Sequence, residues 1–211
     1  DINSKGKRFQ IMFMSMGEPF LNYDEVKKAI VILNEKHPHA QLLLSTTAPA
    51  HFISKHFNDF AELSRDIPKV GIQFSIHESS DAERKKLIPS LTTSIKGIGA
   101  LGEQWARSTG RRPYFNYCVH EGNNTKEDVL RLVEALKPEV WECTLSVICE
   151  KDETVKNAIE QKIEIITAFS DKMAEAGYSI RVFNPAGQDD IGGGCGQLWY
   201  FQDWLKKRET K

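Results

Sequence analysis

Six short polar or reactive clusters punctuate the chain, and each follows a run of β-forming, largely apolar residues or leads into a glycine loop. Gly17-Glu18-Pro19 ends MFMSM, Ser45-Thr46-Thr47 ends QLLL, and Ser75-Ile76-His77 ends GIQF. His120-Glu121 follows FNYCV, and Cys149-Glu150 follows TLSVI. Asp189-Asp190-Ile191 leads into three glycines and then Cys195-Gly196-Gln197-Leu198. Taken singly, these residues have ordinary readings. Glu18 reads as a helix cap or a solvated carboxylate, and Ser45-Thr46-Thr47 as a strand exit. His77 reads as a hydrogen-bonded structural residue. Cys118 and Cys143 lie in strand-like runs and read as buried, inert thiols. Cys195 differs because glycines surround it. A thiol in so open a loop is either reactive or simply structural.

The elements that must carry these clusters follow from hydrophobic period. Strand patterns cover Arg8–Met14, Gln41–Thr46, Lys69–Ile76, Pro113–Val119, Val140–Ile148 and Tyr178–Phe183. Several are near-continuously apolar, which predicts strands covered on both faces. Helical patterns cover Asp24–Glu35, His51–Leu63, Ile95–Ser108, Thr125–Leu136 and Val155–Ala176, the last followed by Gly177 at a natural C-cap position. Strict alternation of strand and helix with short connections predicts an α/β fold with a parallel sheet and right-handed crossovers. Ligands of such sheets sit at the carboxyl ends of the strands, where all six clusters fall.

Composition narrows the function classes. The chain has 211 residues, 40% hydrophobic and 27% charged, with a net charge of −1. That balance gives no support to a broad basic face for DNA or RNA. No apolar run approaches the roughly 20 residues needed to cross a bilayer, and DINSKGKRF is not a signal peptide. Four cysteines without a CxxC pair point to free thiols in a reducing, cytoplasmic compartment.

Together the segments resemble the radical S-adenosylmethionine (SAM) superfamily, and within it the RlmN/Cfr type, which methylates adenine in large-subunit ribosomal RNA and, for some members, in tRNA. The resemblance rests on MGEPFLNYDEV (16–26), LLLSTTAP (42–49), GIQFSIHESSDAERKKLIP (71–89), RRPYFNYCVHEGNNTKED (111–128) and DDIGGGCGQL (189–198). They occur in family order and spacing over essentially the whole chain. The resemblance implies a partial (β/α) barrel of about six parallel strands with helices outside, forming a single domain over 1–211.

By the same resemblance, Gly17 and Glu18 hold the SAM amino group, where a carboxylate beside a glycine suits an ammonium partner. Ser45 contacts SAM, and Ser75 and His77 face its ribose and carboxylate. Cys195 receives a methyl group from one SAM. That methyl then loses a hydrogen to the 5′-deoxyadenosyl radical made from a second, and the carbon radical adds to an adenine carbon. Implied cofactors are SAM and a [4Fe–4S] cluster. Implied partners are an RNA substrate and a reductant such as flavodoxin or ferredoxin, with no membrane and no DNA.

The chain also departs from the family. The CxxxCxxC cluster motif occurs nowhere in it, so no metal ligand is assigned and the cluster ligands are expected upstream of Asp1. The first β-α unit and the family's small N-terminal domain are expected there too. Cys149 stands where the family has the SAM-binding Asn of Ile-Pro-Phe-Asn, and Asn184 on the next strand is the candidate to replace it. Ala48 replaces the Gly of Ser-Thr-x-Gly. Asn184-Pro185-Ala186-Gly187-Gln188 replaces an arginine-rich stretch that would meet RNA phosphates. The remaining basic groups, Arg84-Lys85-Lys86, Arg111-Arg112 and Lys206-Lys207-Arg208, read as solvated faces. Two alternatives therefore stand beside RNA adenine methylation: a radical SAM enzyme with another substrate, and a cluster-free binding or assembly protein.

Overall fold

The computed structural model describes residues 9–14, 17–147 and 155–183. Six strands lie in one sheet in chain order: β1 (Gln10–Phe13), β2 (Gln41–Thr46), β3 (Val70–Ser75), β4 (Tyr114–Val119), β5 (Glu142–Val147) and β6 (Ser179–Val182). Every neighbouring pair is parallel. The helices between them are α1 (Tyr23–Lys36), α2 (Ala50–Asp66), α3 (Asp81–Leu87), α4 (Ile95–Thr109), α5 (Lys126–Ala135), α6 (Val155–Gln161) and α7 (Ile163–Glu175). This is the expected α/β partial barrel, open between β1 and β6.

Local chemistry sets the helix ends. Ser94 accepts from the Gly97 N–H at the start of α4, which stops at Gly110 in the left-handed region (φ 69°). Thr125 and Asp128 form a reciprocal capping box on α5. Two helical expectations change. Asp81–Leu87 folds as a helix although DAERKKL carries no apolar stripe, and the pattern over 155–176 is two helices interrupted at Lys162.

The sheet is asymmetric. Leu42, Leu44, Ile72, Phe74, Phe115, Tyr117, Cys143 and Leu145 pack with Phe57, Phe60, Ile98, Trp105, Leu132 and Phe169 of the helices in one apolar core. The alternating positions point the other way and are largely polar: Ser45, Gln73, Ser75, Asn116, Thr144 and Ser146. Strands apolar on both faces were expected; the structure instead covers one face with helices and lines the concave face with hydrogen-bonding groups.

The outer layer fits tightly. A Cβ on Gly102 of α4 would lie 1.9 Å from the Trp141 ring. Only glycine lets this helix approach the sheet so closely.

At the amino ends of the strands, arginines tie the layers together. The Arg111 guanidinium donates to the carbonyls of Ser64, Pro68 and Val70 and lies over the Trp105 ring, 4.9 Å from its centroid. Arg112 donates to the carbonyls of Pro138 and Trp141. These two arginines are internal ties, not the solvated face expected of them. Among the described residues no helix is long and apolar enough to cross a membrane.

Candidate functional site

The carboxyl ends of β1 to β4 converge on one edge of the sheet, and a few side chains fix their geometry. After β1 the chain turns through Gly17 (φ 100°), open to L-residues only at a cost, and enters a short 3-10 turn, Pro19–Asn22. Glu18 caps that turn, accepting from the Phe20 N–H at 3.2 Å. Its carboxylate also reaches the end of β2. Oε1 accepts from the Thr46 hydroxyl at 2.6 Å, and Oε2 accepts from the Thr47 N–H at 2.7 Å and hydroxyl at 2.8 Å. Glu18 is thus both the cap the bare sequence suggests and a strap between two strand ends. Each oxygen holds two donors of the chain itself. Three of these four donors are fixed by the backbone or, for Thr46, by a second bond in which its oxygen accepts from the Ala48 N–H. The Thr47 hydroxyl is the one that can rotate away in favour of an incoming cation.

Ala48 takes φ 60° directly after this strap and is fully buried. The position where the related motif has glycine is therefore one that demands a left-handed backbone, and alanine holds it under strain.

Arg84, from the short helix α3, joins the exits of β2 and β3. Its five donor contacts go to the carbonyls of Thr47, Ser75, Ile76 and Thr93 and to the Thr92 hydroxyl, at 2.8–3.2 Å. Burial lowers its pKa and Asp81 opposes that shift, yet a guanidinium stays charged at any working pH. Expected on a solvated face, Arg84 is instead a buried cation surrounded by carbonyl oxygens. It is the main residue of this edge that sequence reasoning missed.

His77 follows β3 in the left-handed region (φ 62°). Its N–H donates to the Asn116 carbonyl and its carbonyl accepts from the Asn123 amide, so the backbone is held on both sides. Its Nδ1 is buried without a hydrogen-bond partner. Burial, helped by the Arg84 charge, lowers its pKa to about 4, so the ring is neutral at physiological pH.

Asn123 knits the β4 exit. Its amide donates to the carbonyls of His77 and Cys118, its side-chain oxygen accepts from the His120 N–H, and its own carbonyl accepts from the Tyr117 hydroxyl. The His120 Nδ1 accepts from the Gly122 N–H, which leaves the proton on Nε2, 2.7 Å from Glu78 Oε1. The sequence places His120 beside Glu121; the fold pairs it with Glu78 of the β3 exit, and Glu121 is exposed. Spacing carried no signal for that pair, because the two residues are on neighbouring strand exits and 42 positions apart.

Below these exits lies the concave face. Gln73 reaches the Ser45 hydroxyl with its amide nitrogen at 3.4 Å. Ser146 donates to the Asn116 amide oxygen at 2.7 Å, and Cys118 lies 3.1 Å from the Ser146 oxygen. The structure thus brings Gly17, Glu18, Ser45, Ser75 and His77 to three adjacent strand ends. Cys149, Asn184 and Cys195, like the basic run Lys206-Lys207-Arg208, lie outside the described residues. Among the described residues no group of three or more His, Cys, Asp or Glu side chains is arranged to hold a metal ion.

Known proteins resemble this chain in sequence and in fold. No protein-family model matches the chain. It is 31% identical over 206 residues to a probable dual-specificity RNA methyltransferase RlmN of Thermoanaerobacter sp. (strain X514), a match covering 96% of this chain and 58% of that protein. It is 27% identical over 190 residues to the corresponding protein of Lachnospira eligens, covering 89% of this chain and 53% of the other. Against a ribosomal RNA large subunit methyltransferase N of Nitrosopumilus maritimus it is 31% identical over 124 residues, 56% of this chain and 33% of that one. Among solved structures, a radical SAM methyltransferase from Sphaerobacter thermophilus superposes with a TM-score of 0.67 at 22% identity, over 89% of this chain and 54% of the other. The chain spans about half the length of the curated relatives it matches along most of its length.

Proposed function

We propose that this chain, a divergent relative of the RlmN-type radical SAM methyltransferases, binds SAM across the carboxyl ends of β1–β3 and passes a methyl group through Cys195 to a ring carbon of adenine in RNA. The observation that carries the reading is the convergence of Glu18, Ser45, Ser75 and His77 on three adjacent strand ends. These are the positions at which the family resemblance assigns SAM contacts.

The residues present fit that cofactor. The Glu18 carboxylate has one exchangeable hydroxyl donor, which an ammonium can replace with a charge-assisted bond. The buried Nδ1 of His77 lacks a partner and suits a hydroxyl donor such as that of a ribose. Bound SAM supplies the methyl group and the hydrogen-abstracting adenosyl fragment. The chain's own part is to seat the amino acid end on Glu18, keep His77 neutral, and present the Cys195 thiolate as methyl acceptor. The described thiols do not fit an iron–sulfur cluster. Burial on the outer face pushes the Cys143 thiol well above its ordinary pKa, and Cys118 is hydrogen-bonded to Ser146. A flavodoxin- or ferredoxin-type reductant and a cytoplasmic setting belong to the same proposal.

A second reading keeps SAM but replaces RNA with a substrate lacking a phosphate backbone. One observation favours it: Arg84, Arg111 and Arg112 are all committed to backbone carbonyls, so none is offered to phosphates. The test uses the full-length protein prepared anaerobically with its cluster. Cys195→Ala should abolish methylation of RNA while SAM cleavage continues. Methylation that survives this substitution would remove the carrier role, and SAM cleavage by the unaltered protein without RNA methylation would favour the second reading.

A further inference from the structure

Among the described residues, the concave face contains one polar group with an unmet requirement. Gln73 is 1% exposed, yet its Oε1 has no donor. A buried acceptor left unpaired costs about 1–3 kcal/mol. An apolar side chain would satisfy packing at this position better. The carboxamide lies on the strand that ends in Ser75 and His77, and its nitrogen reaches Ser45, so it is contiguous with the proposed SAM contacts but takes no part in them. Its register partner on β4 is Tyr114, whose ring carries the Arg181 guanidinium 5.8 Å from its centroid. Asn116 and Ser146 continue the polar strip on β4 and β5. A vacant buried acceptor calls for an N–H or O–H donor, and the exocyclic amino group of the adenine in the proposed reaction is such a donor.

We propose that Gln73 is a specificity-determining residue that reads the exocyclic amino edge of an adenine base. Its Oε1 accepts the amino N–H, in the manner of carboxamide-to-adenine recognition. This rests on the functional reading above and sharpens it, naming the residue that selects the base. The base can arrive in an RNA strand or as a free nucleoside; the recognition is the same, and the experiment separates the two.

The full-length protein is titrated with adenosine and with purine riboside, which lacks only the amino group, each as the free nucleoside and at one position of a short RNA. SAM is titrated in parallel. Adenine should bind roughly tenfold tighter than purine, the discrimination expected of one good hydrogen bond to a buried acceptor. Gln73→Leu should erase that preference and leave SAM affinity within about twofold. Gln73→Glu, which keeps an acceptor at the same position, should retain part of it. Equal preference in the unaltered protein, or preference that persists in Gln73→Leu, overturns the assignment. A loss of SAM affinity in Gln73→Leu as large as the loss of adenosine affinity also overturns it, since the amide would then serve the cofactor. If SAM fails to bind the unaltered protein while Gln73-dependent adenine preference remains, the functional reading falls and this assignment stands. Preference confined to the free nucleoside, or shared by the RNA, identifies the source of the base and supports the assignment in either case.

Discussion

The two faces of one sheet obey different rules. On the outer face, every second strand residue meets a helix, and the fit is tight enough that Gly102 must lack a side chain beside Trp141. On the concave face the same strands alternate into Ser45, Gln73, Ser75, Asn116, Thr144 and Ser146, with an acceptor left unpaired. Burial of apolar area explains the first face. It does not explain the second, whose polar groups would be better replaced by apolar ones if stability were their purpose. The difference separates residues that hold the fold from residues whose polarity folding does not require.

Substitution can break or confirm that division. The largest effect is expected from Gly102→Ala, which drives a methyl into the Trp141 ring and should cost about 3 kcal/mol of unfolding free energy in a denaturant titration. A loss under about 1 kcal/mol would show that the outer layer is looser than described. Arg84 stands where the faces meet. Arg84→Met strips four carbonyls and a hydroxyl of their donor and should cost about 2–3 kcal/mol by the same measurement.

His77 gives a smaller, pH-dependent effect. The unfolded chain binds a proton near pH 6.5, whereas the folded ring does so only near pH 4. Stability from this residue is therefore full above pH 6.5 and lost as pH falls towards 4. His77→Gln should flatten the acid limb of the stability profile in that window; an unchanged slope would mean the ring is solvated in the native state. The smallest effect, with opposite sign, belongs to the concave face. Gln73→Leu should stabilise by about 0.5–1 kcal/mol, because it removes a buried acceptor without a donor. A destabilisation comparable to that of Gly102→Ala would erase the distinction between the faces.

Much of this was legible in the sequence, for physical reasons. Alternation of β-rich and helical period located all six strands to within a residue or two, and the polar clusters that follow β1 to β4 lie at one edge of the sheet. Three things escaped. Asp81–Leu87 has no apolar stripe because its stability comes from capping by Ser80 and from Arg84 reaching into the fold, not from a buried face. Arginines read as solvated because hydropathy cannot distinguish a guanidinium in water from one caged by carbonyls. The concave face was hidden because Leu43, Tyr114 and Cys118 count as apolar, so strands polar on one side scored as apolar on both. The departure at Ala48, by contrast, was visible in sequence, and only its left-handed backbone gives it meaning.

The cage around Arg84 carries one more consequence. A single rigid plane bonds the exits of β2 and β3 and the approach to α4, so none of these segments can shift without surrendering a bond held by the others. Glu18 grips the β2 exit at Thr47, one atom group away from the carbonyl that Arg84 holds. Thr47 is therefore pinned on both sides, its N–H to Glu18 and its carbonyl to Arg84, and its hydroxyl can leave Glu18 without loosening either tie, so the exits of β1, β2 and β3 form one rigid lip.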